Sequence, residues 1–118
     1  MRYWSPTTTE ALEAIKADGV QKVVVLPLYP QFSISTSGSS LRLLEKEFYE
    51  DPALRQTRNT VIPAWYNRQG YVHALARLIE GKLKKFDDPS SAHIFFSAHG
   101  LPVKYVETLG DPYQKQTE

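Results

Sequence analysis

Cysteine is absent from the sequence. That excludes a disulfide framework, a cysteine-ligated zinc site and a cysteine-bound iron–sulfur cluster within these residues. No apolar run approaches the roughly 20 residues needed to cross a bilayer. The longest, Val23 to Leu28, is strand-sized and broken by Pro27. Charge of one sign is also lacking. Lys and Arg total 14 against 13 Asp and Glu, a net charge of +1, which leaves neither a basic field for nucleic acid nor an acidic tail. The one basic cluster, Lys82, Lys84 and Lys85, falls at the end of an expected helix and complements its dipole there. Met1-Arg2-Tyr3-Trp4 has no apolar stretch behind it, so the opening predicts no secretory signal, and it is not rich in Ser and Arg as a transit peptide would be. What remains is globular composition, 118 residues with 42% hydrophobic and 23% charged, enough for one small domain with a thin core.

The elements alternate. Thr7 to Asp18 predicts a helix, with Ala11, Leu12, Ala14 and Ile15 as its apolar stripe and Gly19 as its stop. Lys22 to Leu28 is a β-branched run that suits a strand covered on both faces. A polar loop, Tyr29 to Ser40, leads into a helix carrying Leu41, Leu44 and Phe48, capped by Ser39 or Ser40 and ended by Asp51-Pro52. Asn59 to Trp65 is a second strand candidate. Gln69 to Phe86 is the clearest helix, with Val72, Leu75, Ala76, Ile79 and Leu83 on one face. Asp87 to Ser90 is a turn, and Ala92 to Phe96 reads as a third strand. The rest reads as loop, with a helix starting at Pro112. The order α-β-α-β-α-β-(α) implies an α/β fold of three layers, a mostly parallel sheet with helices on both faces and right-handed crossovers. Three strands leave two open edges, a liability, so the sheet is expected to be incomplete, part of something larger.

In open α/β sheets, ligands sit outside the carboxyl ends of the strands. Two polar loops leave strands there, Tyr29 to Ser40 and Ser97 to Pro102, and a parallel sheet would open both onto one rim. His99 follows an apolar strand and lies between Ala98 and Gly100, whose small side chains leave the imidazole approachable. Imidazole can exchange a proton or bind a metal near neutral pH. The plainer alternative is a rim histidine bonded to a carbonyl. His93 reads as structural within its strand and His73 as a surface residue. No histidine pair has the i, i+4 spacing of a zinc site. The SISTSGSS run could present amides to an anion or simply cap the next helix, and it matches neither the P-loop nor GxGxxG. Tyr3, Trp4, Tyr29, Phe32, Trp65 and Tyr66 gather near these loops. Their flat rings could hold a planar ligand or pack a core.

Three stretches in order, Met1-Arg2-Tyr3-Trp4, LPLYPQFSISTSGSS from Leu26 to Ser40, and FFSAHGLP from Phe95 to Pro102 followed by Gly110-Asp111-Pro112-Tyr113, resemble ferrochelatases. The intervening helices do too, so the resemblance covers essentially the whole chain. The wording is similar to plant, algal and cyanobacterial members. The resemblance implies a chelatase-like fold, with residues 1–118 as a single α/β segment spanning parts of the family's two similar halves. It implies insertion of ferrous iron into protoporphyrin IX to give protoheme, an activity of the whole enzyme that this length of chain is not expected to show alone. It places the family's active-site histidine on His99, as proton acceptor or metal ligand. It makes Arg2 and Tyr3 substrate-binding, along with Tyr29, Ser33 and Ser35 of the loop. It implies no permanently bound cofactor, ferrous iron being a substrate. Ile34 stands where animal members have an iron–sulfur cysteine, so no such cluster is expected. The implied partners are protoporphyrin IX and ferrous iron, with no nucleic acid, and with membrane association only through an extension outside these residues. The implied location is the plastid for a plant or alga and the cytoplasm for a cyanobacterium. The runner-up readings are a non-catalytic flavodoxin-like module binding an anion or tetrapyrrole, and a related cobalt or nickel chelatase.

Overall fold

The computed structural model describes residues 5–118, and their contacts gather into two units. The first holds the chain up to Leu28 together with Ile34–Pro63; the second holds Tyr29–Ser33 together with Ala64–Glu118.

The first unit starts from a capping box. Thr7 Oγ1 accepts from the Glu10 N–H at 3.3 Å, and the Glu10 carboxylate accepts from the Thr7 N–H. Two otherwise orphaned amide groups are thereby satisfied. The same hydrogen bond from Thr7 holds the Glu10 carboxyl below its ordinary range. Helix α1 runs Thr8–Ala17 and ends at Asp18, followed by Gly19 at φ 62°, a backbone conformation that glycine adopts without penalty. Strand β1 is Lys22–Val25, shorter than the apolar run because Pro27 has no N–H to give a ladder.

Helix α2, Ser37–Glu50, begins a turn earlier than its apolar pattern suggests. Half of the expected serine-rich loop is therefore helical. Thr36 stands at the cap without a side-chain bond, so neither Ser39 nor Ser40 caps the helix. Asp51-Pro52 ends α2 as expected and at once starts α3, Pro52–Arg55. Asp51 Oδ1 accepts from the N–H groups of Ala53 and Leu54 at 2.8 and 3.2 Å. Its Oδ2 accepts from Lys16 Nζ at 2.7 Å, and Lys16 also pairs with Glu13 at 2.6 Å. Led by the Lys16 contact, these bonds hold the Asp51 carboxyl below its ordinary range; the Asp51 contact, then Glu13, pushes Lys16 up.

Strand β2, Arg58–Val61, pairs parallel with β1, in register from Lys22 against Arg58 to Val25 against Val61. The connection through α2 and α3 is thus the βαβ crossover that parallel pairing requires. Leu12, Phe48 and Leu54 form the core, with Ile15, Val23 and Leu44 packed against it. All three helices cover the Val23 face of the sheet. The opposite face is uncovered within this unit, where Val24 is 66% exposed.

The second unit contains α4, Gln69–Leu83, which stops short of Phe86 in a turn. Its expected apolar face is not a buried one here. Ile79 and Leu83 are half-buried, while Val72 and Leu75 are exposed. Asp88 then caps a 3₁₀ turn, Pro89–Ser91, accepting from Ser90 N and Oγ at 3.0 and 2.6 Å.

Two expectations need correction beyond this point. Ala92–Phe96 is extended but is not a strand. Apolar side chains make a strand only when a neighbour pairs its amides, and among the described residues none does. Ile94, Phe95 and Phe96 are consequently 50%, 90% and 77% exposed, and His93, expected to be structural, is exposed with them. The stretch read as loop also contains a helix, α5, Val103–Glu107, closed by Gly110 at φ 66°. Helix α6, Tyr113–Thr117, follows Pro112 as expected.

Candidate active site

His99 lies in the extended segment that leads from residue 92 into α5, with its side chain exposed. A Cβ added at the neighbouring Gly100 would meet nothing within 4 Å. The histidine stands at a hollow of about 360 Å³, walled by Ala98 and Leu101 from its own segment, Val106 from α5, and Tyr113, Gln114 and Thr117 from α6. That is near the lower end of ligand pockets, about 300–1,000 Å³.

The same unit draws in the first part of the YPQFS loop. Pro30 O accepts from Trp65 N at 2.8 Å. The Phe32 N–H donates to Gln116 Oε1 at 2.7 Å. Ser33 Oγ donates to Asp111 Oδ2 at 2.8 Å, across 78 positions of sequence. Tyr29 remains 47% exposed, while Phe32, Trp65 and Tyr66 are half-buried. Trp65 and Tyr71 meet edge to face with centroids 5.0 Å apart, a geometry favoured by the ring quadrupoles.

The sequence-based site residues therefore separate. His99, Tyr29 and Ser33 belong to one unit. Ser35 is exposed and belongs to the other. Arg2 and Tyr3 lie outside the described residues. Ser33 is 2% exposed, so its hydroxyl is directed to Asp111 and not to the surface. His73 is exposed on α4, as expected. Among the described residues, no three His, Asp or Glu side chains gather where they could hold a metal ion.

The sequence motifs assign no site role to Asp111 or Gln116. Asp111 is 3% exposed, and besides Ser33 it accepts at Oδ1 from the Tyr113 N–H at 3.0 Å. The signal for it was present, since an aspartate between a turn glycine and a helix start is the setting of an Asx turn. Gln116 had no such signal, because one amide within a short polar helix is indistinguishable from a surface residue.

Parallel strands joined by a helical crossover make this an α/β protein with an incomplete sheet. The family model "Ferrochelatase" matches residues 1–118. The chain is 62% identical over all its residues to ferrochelatase-2, chloroplastic, of Arabidopsis thaliana, covering 23% of that protein. It is 62% identical to ferrochelatase-2, chloroplastic, of Oryza sativa subsp. indica, covering 22%, and 58% identical to a ferrochelatase of Synechocystis sp., covering 30%. The chain belongs to the ferrochelatase family. It spans between about a fifth and a third of the length of these relatives.

Proposed function

We propose that these residues serve a ferrochelatase, an enzyme that inserts ferrous iron into protoporphyrin IX, and that His99 takes a pyrrole proton during insertion. The observation that carries the reading is the exposed imidazole at a mostly apolar hollow, in the same unit as the YPQFS loop. Insertion releases two protons from the pyrrole nitrogens. A positioned base that titrates near the working pH speeds such a transfer, and an exposed imidazole can pass its proton on to solvent. The exposed Tyr29 offers an aromatic contact, and Ser35, Arg2 and Tyr3 complete the proposed set of substrate contacts. The hollow alone is small for a macrocycle, so it supplies one part of the cleft and the remainder of a full-length enzyme supplies the rest. The plastid is the location favoured by the names of the plant relatives.

The test is a full-length plant ferrochelatase whose corresponding segment is replaced by these residues. Ferrous iron added with protoporphyrin IX is expected to convert the free-base porphyrin spectrum to that of heme, and the isolated chain is not. A folded, porphyrin-binding chimera that leaves the spectrum unchanged would defeat the reading.

A further inference from the structure

Ser33 and Asp111 are both almost fully buried, and they bond each other. Burying a carboxylate is costly unless it is well paired, and an apolar pair would fill the same space at less risk. The arrangement is better understood by what it connects. One oxygen of Asp111 holds the YPQFS loop through Ser33; the other holds the start of α6 through the Tyr113 N–H. The Asp111 N–H donates to Tyr105 O at 2.9 Å, fastening the turn to α5. A second tie runs from Gln116 on α6 to the Phe32 N–H. Gln116 therefore faces the loop, while Tyr113, Gln114 and Thr117 face the His99 hollow. One short helix is clamped on one side and forms a wall of the site on the other.

We propose that Asp111 is a positioning residue: it locks the Pro30–Ser33 stretch to α6 and so fixes the wall opposite His99, and Ser33 acts through this lock and not by touching substrate. This rests on the proposed function of the site. Displacing a wall by about 1 Å is enough to cost up to about a hundredfold in rate.

The lock is tested first in the 118-residue chain, without turnover, by amide hydrogen exchange. Asp111→Ala is expected to speed exchange at Phe32 and Tyr113; unchanged exchange at both overturns the lock itself. Turnover is then measured in a full-length ferrochelatase carrying these residues. Ser33→Ala and Asp111→Ala are each expected to lower kcat/KM by about tenfold or more. The double variant is expected to lose no more than the worse single one, because both remove one lock. Asp111→Asn, whose amide can accept from Tyr113 and donate to Ser33, is expected to recover most of the rate. Leu54→Ala, in the other unit, controls for general destabilisation and is expected to leave kcat/KM within about twofold well below its melting temperature. Additive losses, or faster exchange with unaltered kcat/KM, overturn the positioning role. Both readouts are separate from His99→Ala, which tests the function of the site.

Discussion

Truncating a small side chain here is expected to cost more than truncating a larger one. Leu54, on α3, is 1% exposed and packs with Leu12 and Phe48. Leu54→Ala removes hydrocarbon worth about 0.8 kcal/mol per methylene-sized group, about 2.4 kcal/mol for three. A partly collapsed cavity raises the loss to about 3–4 kcal/mol. Phe95 is the larger residue, and its loss would cost about 3–5 kcal/mol from a packed interior. It is 90% exposed, however, so only about a tenth of that is at stake, below about 0.5 kcal/mol. The assay is a urea titration of the 118-residue chain followed by the amide resonances of Val24 for the first unit and Tyr113 for the second, so that each unit reports its own unfolding. The Val24 midpoint is expected to fall sharply in Leu54→Ala, and the Tyr113 midpoint to be unmoved in Phe95→Ala. A loss above about 2 kcal/mol in Phe95→Ala would refute the reasoning, because a ring that costs that much cannot stand in water. In a full-length ferrochelatase the same change is expected to cost about 3–5 kcal/mol, since Ala92–Phe96 has the composition of a strand buried on both faces.

Two further outcomes follow from the caps. Thr7→Ala removes one half of a capping box and is expected to lower the stability of α1 by about 1 kcal/mol, read as lost helical circular dichroism; an unchanged spectrum on heating would contradict the cap. Asp51, whose folded carboxyl titrates below the usual range because of Lys16 and then the Leu54 and Ala53 amides, contributes stability that is present above its unfolded pKa of about 3.9 and is lost as pH falls through its folded value. Exchange at Ala53 and Leu54, corrected for the intrinsic rate, is therefore expected to rise only below about pH 4, and a rise centred near pH 6 would point to another group.

The parts of the fold that the sequence made legible are those with local causes. Thr7 and Gly19 bracket α1 because a cap and a left-handed stop act within one turn. Asp51-Pro52 breaks one helix and begins the next for the same kind of reason. The failures share a different cause. Ala92–Phe96 has every local mark of a strand, but a strand is made by its neighbour, and neighbours are remote in sequence. The first turn of α2 resembles a loop in sequence because Ser37 to Ser40 are small and polar, and the apolar period begins only at Leu41. At the site, the exposure of His99 was legible because its flanking residues are small and it follows an apolar run. The burial of Ser33 against Asp111 was not legible. A serine that touches a ligand and one that holds a buried aspartate look alike until Asp111, far along the chain, is placed beside it.

The most direct measurement is insertion by His99→Ala in a full-length ferrochelatase carrying these residues, with porphyrin binding followed separately through quenching of tryptophan fluorescence. Porphyrin affinity within about threefold of the unsubstituted enzyme, with iron insertion abolished, is the predicted result. Turnover near the unsubstituted rate would contradict it and remove the imidazole from the chemistry.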